Sequence, residues 1–272
     1  MRMRLQKIFD ALRKEKIHII SSPDNLEDFG GTLNHIFKLE DKSGEQYMLR
    51  IPRAEYREQI RDYLLQLYRD AGFVVRGNEF FYRSLMQQAE FSWACKKKGI
   101  LVPDVLLVGK DFLLARFIDG ELYTVAVKQN CKATSILFTA LINAHRKGIV
   151  FGDRWGGNEL IVVNRICFLD FDIGYLCENE SQFQKCKNFE LAVATYGSIL
   201  FCPRKGESIK LIGDIFKMNK ADYNLECVIE YLRGYVRFYG NPKKPTTILS
   251  APFSAYLRTN RYITKLIMSY QN

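Results

Sequence analysis

The sequence contains no Cys-x-x-Cys pair, no Walker A run of the Gly-x-x-x-x-Gly-Lys-Ser/Thr type, and no full Gly-x-Gly-x-x-Gly. These absences exclude a zinc ribbon, a dithiol motif and P-loop chemistry. The seven cysteines (Cys95, Cys131, Cys167, Cys177, Cys186, Cys202 and Cys227) are odd in number and scattered, which predicts reduced thiols and a cytoplasmic location. No uncharged apolar run approaches about 20 residues, so no transmembrane segment is expected. The start, Met1-Arg-Met-Arg-Leu5, lacks the apolar stretch of a signal peptide. His18 and His35 have no Cys or His at ligand spacing. Proline and glycine, at 7 and 18 of 272 residues, are too sparse for a collagen-like or low-complexity chain. Acidic residues are outnumbered, 30 Asp and Glu against 40 Lys and Arg, and the net charge of +10 attracts phosphates, nucleic acid or an anionic membrane. Charge alone does not choose among these.

The composition, 47% hydrophobic and 26% charged, is that of a globular protein of one large or two small domains. Leu5, Ile8, Phe9 and Leu12 recur at helical spacing among six basic residues, which predicts a basic amphipathic helix over 2–16. Its bland reading is a helix packed on the domain with a solvated basic face. Gly30-Gly31 opens a predicted β-hairpin that runs to Ile51, and two helices are expected after it, from Ala54 to Asp70 and from about Gly77 to Lys98. A second hairpin spans Val105 to Ile118. Beyond Gly120 the reading is a helix from Ala133 to Lys147, short strands 159–163 and 166–170 joined at Asn164-Arg165, and helices after Phe189. The stretch Asn241 to Pro252, with Lys243-Lys244, reads as a loop.

The informative segment runs from His145 to Gly174. It places Asp153 in a loop after a helix, Asn158 where a strand begins, and Asp170 at the end of the next strand, so that a tight hairpin brings all three to one edge. Phosphoryl transfer needs a carboxylate to orient and deprotonate the acceptor hydroxyl, and hard oxygen ligands to hold Mg²⁺ across the nucleotide phosphates. These three residues are of the right types in the right order. The bland reading of each Asp alone is a loop or strand-end cap.

Gly152-Asp153-Arg-Trp-Gly-Gly-Asn158, followed by Asp170-Phe-Asp172, resembles the protein-kinase-like superfamily, whose catalytic loop H-R-D-x-x-x-x-N and metal motif D-F-G share this spacing. Its form is most similar to the atypical branch of aminoglycoside phosphotransferases, choline kinases and lipopolysaccharide-core heptose kinases. The likeness extends by element order from about Phe29 to Gly240. It implies an α+β, two-lobed protein-kinase-like fold with a β-rich N-lobe and a helical C-lobe. The expected division is a basic helix over 1–20, an N-lobe over 21–118, and a C-lobe over 119–272 with its catalytic loop at 151–158 and metal motif at 170–172.

The resemblance also implies roles. Asp153 would be catalytic; Asn158 and Asp170, with Asp172 as an additional ligand, would hold Mg²⁺ or Mn²⁺ for ATP. Arg50 stands where the family has a phosphate-binding Lys, and a guanidinium can hold phosphates bidentately. The partner of Arg50 on the following helix is open among Gln88, Glu90 and Glu79, with Glu90 favoured. The backbone from Ala115 to Phe117 would receive adenine, and Gly30 and Gly31 lie where a glycine loop would cover the phosphates. His145 implies a buried brace, and Trp155 either stacks on the acceptor or packs. Only about 19 residues separate Asp170 from Glu190, which argues against control by loop phosphorylation. The expected activity is ATP- and Mg²⁺-dependent phosphorylation of a small-molecule, sugar or glycolipid hydroxyl, the net charge suiting an anionic acceptor. The alternatives are an atypical serine/threonine kinase, or an inactive scaffold that binds RNA or the inner membrane face through its basic surface.

Overall fold

The computed structural model describes residues 1–31, 33–53, 56–74, 79–242 and 251–270. Strand alternation organises the N-lobe. β1 (Asn34–Glu40) and β2 (Gln46–Pro52) pair antiparallel, with Ile36 opposite Arg50 and Phe37 opposite Leu49. Period two sends Phe37, Leu39, Leu49 and Ile51 to one buried face and leaves Ile36, Met48 and Arg50 on the other. α1 (Arg2–Lys14) covers the first face with Leu5, Ile8, Phe9 and Leu12. Burying each such side chain contributes roughly 1.5–3 kcal/mol. Arg2, Lys7, Arg13 and Lys14 stay exposed on its far side, so the bland reading of this helix describes it. β5 (Leu113–Arg116) sits between β2 and β4 (Val105–Val108) and completes the sheet β1-β2-β5-β4.

The helix expected from Gly77 starts later. Gly77 lies outside the described residues, Phe80–Tyr82 forms β3, and α3 spans Leu85–Lys97. Ser84 caps α3: its hydroxyl accepts from the Gln87 N–H while the Gln87 side chain accepts from the Ser84 N–H. The aromatic run ahead of this capping box pairs with β9 (Ile173–Tyr175) and cannot join the helix.

α2 (Arg57–Asp70) follows the N-lobe hairpin yet packs on α8 (Leu225–Tyr239), and its Ile60, Tyr63, Leu64, Leu67 and Tyr68 belong to the C-lobe core. Gly234 makes this possible, because a Cβ there would stand 2.2 Å from the Ala71 Cα. In the C-lobe, β6 (Glu121–Leu122), α4 (Tyr123–Gln129) and α5 (Ala133–Arg146) lead into the hairpin of β7 (Glu159–Val162) and β8 (Arg165–Phe168). That hairpin turns through Val163 and Asn164, both left-handed at φ 46° and 60°, one residue earlier than the predicted turn. α6 (Glu180–Phe201) is buried on every side from Cys186 to Ile199, which makes it the central helix. α7 (Lys205–Met218), α8 and α9 (Phe253–Met268) surround it. Lys243-Lys244 lies outside the described residues. The fold is α+β, with a β-rich N-lobe and a helical C-lobe.

Candidate active site

The loop after α5 is shaped by a glycine and a buried glutamate. Gly152 has φ +129°, and a Cβ on it would lie 2.2 Å from the Ile173 carbonyl, so no other residue fits. Glu190, wholly buried on α6, accepts from the Phe151 and Gly152 N–H groups at 2.9 and 2.7 Å. Its other oxygen meets His145 Nε2 at 2.8 Å, and His145 Nδ1 meets the Tyr223 hydroxyl at 2.7 Å. His145 therefore stands as a buried brace behind the loop.

Two buried arginines fasten the loop to the segment after β8. Arg154, with no exposed surface, donates to the carbonyls of Asn158, Leu169 and Asp170 at 3.2, 2.8 and 2.7 Å. It also faces Glu159 at 3.3 Å, whose carboxyl burial pushes up to about 7 against the pull of Arg154. Arg83, between β3 and α3, donates to the carbonyls of Phe151, Phe171 and Ile173 at 3.0, 3.0 and 2.6 Å. Its guanidinium lies 4.0 Å over the Phe91 ring.

On this frame Asp153, Asn158 and Asp170 converge. Asn158 Nδ2 donates to the Asp153 carbonyl at 3.1 Å and reaches its carboxylate at 3.5 Å. Burial pushes the Asp153 carboxyl up to about 6; Arg154 pulls it down and Asp170 adds to the rise. Asp170 holds a left-handed backbone at φ 54°, a conformation that costs an L residue roughly 1–2 kcal/mol. Burial disfavours its charge, but Arg50, the hydrogen bond with Asp172 and Arg154 together outweigh that and lower its pKa. Asp172 behaves oppositely: burial, then the Asp170 charge, push it up to about 7. Asp172 shares a hydrogen bond with Asp170 and accepts from Asn34 Nδ2 at 3.3 Å.

Arg50 lies on the inner face of β2, 2.8 Å from Asp170 and 2.8 Å from Gln88 Oε1. The helix partner is thus Gln88, not Glu90, which is exposed on the opposite side of α3. Gln88 is oriented by its own amide, whose Nε2 donates to the Arg83 carbonyl at 3.1 Å. Glu79 instead pairs with Lys185 at 3.3 Å. The two glycines separate. Gly30 belongs to a turn in which Asp28 accepts from the Gly30 and Ile36 N–H groups, and a Cβ on it would meet the Asn34 carbonyl at 2.1 Å. Gly31 faces open space and lines the cavity described below. The expected adenine contacts fall at the end of β5 and just after it. Ala115 pairs with Met48 and Val105 inside the sheet, and the Phe117 N–H donates to the Gln46 carbonyl at 2.9 Å. The next N–H, on Ile118, has no partner among the described residues.

A cavity of about 360 Å³ opens beside Asp153, Asn158 and Asp170. Gly31 and Asn34 bound it on the N-lobe side, Trp155 near the loop, and α2, α6, α8 and α9 elsewhere. Trp155 also packs, with its ring 5.4 Å from Phe201 and its carbonyl against Gly197, where a Cβ would come within 1.8 Å. Among the described residues no Lys or Arg lines this cavity. Basic charge such as that of α1 sits on the outer surface.

Sequence reasoning missed Gln88 as the choice, and missed Arg83, Arg154 and Glu190 as supports of the loop. The one available signal was the Ser84-x-x-Gln87 capping box, which fixes where α3 begins and hence where Arg83 sits.

The chain thus sets a β-rich lobe beside a helical lobe, with an Asp-bearing loop, an Asn at the first strand of a short hairpin and an Asp after its second. No protein-family model matches the chain, and no curated protein matches it in sequence. Solved structures similar to it include the Rio2 kinase from Chaetomium thermophilum, at 12% identity and TM-score 0.45 over 97% of this chain and 76% of that one. An amicoumacin kinase in complex with AMP-PNP and Ca²⁺ is similar at 14% identity and TM-score 0.42 over 99% and 96%. The Plasmodium vivax ethanolamine kinase is similar at 10% identity and TM-score 0.41 over 92% and 85%.

Proposed function

We propose that the chain is an ATP- and Mg²⁺-dependent phosphotransferase acting on the hydroxyl of a small molecule. The carrying observation is the convergence of Asp153, Asn158 and Asp170 on one edge of a cavity, with Arg50 2.8 Å from Asp170. Asp153 orients the acceptor hydroxyl and takes its proton. Arg50 steadies the non-transferred phosphates, and the Ile118 N–H is the free donor for the adenine edge.

The residues fit a divalent ion. Asp170 Oδ1 is buried, and although Arg50 lies close, no aligned hydrogen bond satisfies it. Among the described residues no three His, Cys, Asp or Glu side chains form a protein cage. Mg²⁺ needs none, since one or two carboxylates with phosphates and water complete its shell. Asn158 and Asp170 would hold it. Bound there, it neutralises charge on the phosphate oxygens.

A small acceptor is favoured over a protein because the cavity beside Asp153 holds only about 360 Å³ and α2 forms one of its walls. Incubation with Mg²⁺ and γ-labelled ATP tests the reading against Asp153→Ala and Asp170→Ala. Wild-type turnover that both variants lose supports it. A wild type that neither binds nor turns over ATP refutes it, and binding that weakens steeply with salt while ATP stays intact would support the scaffold alternative.

A further inference from the structure

α9 is built with two faces. Tyr256, Thr259, Asn260, Ile263, Leu266 and Ile267 are buried, and the helix packs on α6, α7 and α8. Positions 257, 258, 261, 264, 265 and 268 share the opposite face at helical spacing, and all six residues are exposed. Three of them are cations, Arg258, Arg261 and Lys265, and the helix carries no acidic residue. Leu257 and Met268 stand at the two ends of the face, 39% and 59% exposed. The stripe between them is roughly 16 Å long at about 1.5 Å per residue.

α7 widens this face. It lies beside α9, and the Tyr270 hydroxyl, just past α9, donates to the Gly213 carbonyl at 2.8 Å. Lys210 and Lys217 share a stripe of α7 with Gly213, and both are exposed. Among the described residues no carboxylate comes within ion-pair distance of Arg258, Arg261, Lys265, Lys210 or Lys217. Of the acids on α7, Glu207 pairs with Arg204 at 3.3 Å and Asp214 is exposed. α1 differs. There Arg2 pairs with Asp24, Arg13 pairs with Asp10, and Arg4 donates to the Pro52 and Asp111 carbonyls, so most of its charge already has partners.

These unpaired cations, set against the one carboxylate of Asp214, favour an anionic surface laid across them. The apolar ends select which surface. Leu257 and Met268 gain nothing from a sugar–phosphate backbone, whereas the boundary between lipid headgroups and acyl chains would bury both. The rings of α9, Phe253, Tyr256 and Tyr262, are buried or half-buried, which leaves none standing free to stack on bases.

We infer that the outer face of α9, flanked by α7, docks on an anionic lipid bilayer, with its cations among the headgroup phosphates and Leu257 and Met268 dipping beneath them. No helix among the described residues is long and apolar enough to cross a membrane, and docking of this kind needs none. The inference is independent of the phosphotransferase reading, because it uses no residue of the loop that carries Asp153.

Co-sedimentation of the full chain, without nucleotide, with vesicles of phosphatidylcholine alone or with about 30% phosphatidylserine tests it. Binding is expected to the anionic vesicles only, and to weaken as salt rises from about 0.1 to 0.5 M. Each cation near such a surface is worth about fivefold in binding, so Arg258→Gln with Arg261→Gln and Lys265→Gln should lose at least tenfold. Leu257→Ser with Met268→Ser keeps the charge and should lose roughly threefold or more. Lys7→Gln with Lys14→Gln on α1 should bind as the wild type does. All three variants change exposed side chains, and unchanged melting curves would confirm that they fold. No binding to anionic vesicles, equal binding to neutral ones, or wild-type binding by either α9 variant overturns the inference. So does a loss confined to the α1 variant, or tighter binding to a single-stranded RNA that the Leu257 and Met268 changes leave intact.

Discussion

Arg50 bridges α3 and the segment after β8, reaching Gln88 and Asp170 at 2.8 Å each. Because Gln88 is neutral, Asp170 is the carboxylate that balances this cation. Burial opposes the Arg50 charge, yet Asp170 and then Asp172 more than offset it and raise its pKa. Arg50→Ala should therefore lower kcat/KM for ATP about 10- to 100-fold, the loss of a charged hydrogen bond of about 1.5–3 kcal/mol. Arg50→Lys keeps the charge but cannot span both partners, and should recover only part of the loss. Steady-state kinetics with varied ATP reads both. Equal activity in all three proteins would remove Arg50 from phosphate binding.

Asp153 supplies a pH dependence with a fixed sign. Its folded pKa, up to about 6, lies above the ordinary 3.8, so the base is lost below about pH 6 and kcat/KM should fall tenfold per unit there. Stability runs the other way. The folded state binds the proton more tightly, so stability decreases as pH rises from about 4 to 6 and stays lower above it. Asp153→Asn should be inactive yet melt higher than wild type at pH 8, with the gap closing near pH 4; each kcal/mol is about 2–4 °C in a chain of this size class. Equal melting at pH 8 would contradict the burial argument.

Arg154 touches no proposed substrate, but removing it orphans the Leu169 and Asp170 carbonyls and leaves the buried Glu159 without its cation. Breaking a buried pair from one side costs about 3–5 kcal/mol, so Arg154→Ala should show a large loss in the urea midpoint. The double change Arg154→Met with Glu159→Leu removes both charges and should restore much of that stability. Stability of Arg154→Ala within about 1 kcal/mol of wild type would deny the clamp its role.

Gly197→Ala places a methyl group against the Trp155 carbonyl. Overpacking of this kind costs roughly 1–3 kcal/mol, and the displaced group belongs to the loop that carries Asp153. Turnover should fall far more than stability, and a crystal structure should show the loop moved. Unchanged kcat would mean that the loop position does not set the rate.

The loop that carries Asp153 was legible in the sequence because its signals are local: a spacing, a tight turn, and glycines that only such a turn requires. So was the first hairpin, where alternation alone sends Phe37 and Leu49 to one face and Arg50 to the other. Arg83, Arg154 and Glu190 were illegible for the opposite reason. A lone charged residue in sequence is read as solvated, and what buries these three is contact across 15 to 90 residues of chain. β3 was hidden because three aromatic residues fit a helix start as readily as a strand, and the strand's partner, β9, lies far downstream. Gln88 and Glu90 differ by about 200° around a helix, so a two-residue ambiguity in spacing decided between a buried partner and an exposed one. For α2 the periodicity identified an apolar face and could not name α8 as its partner.

α2 also bears on how the lobes can move. The chain leaves the N-lobe sheet after β2, packs α2 on α8, and returns to the N-lobe, crossing between lobes well before the connector that follows β5. Two plates joined by one crossing can swing open like a book, whereas plates fastened by a second crossing are confined to sliding. Wide gaping would have to draw out the chain on both sides of α2, which stays on α8 with Ala71 in the notch at Gly234. Substrates are then expected to enter and leave by shear rather than by hinge. A spin-label pair placed on α1 and α7 should report a narrow spread of distances with and without nucleotide.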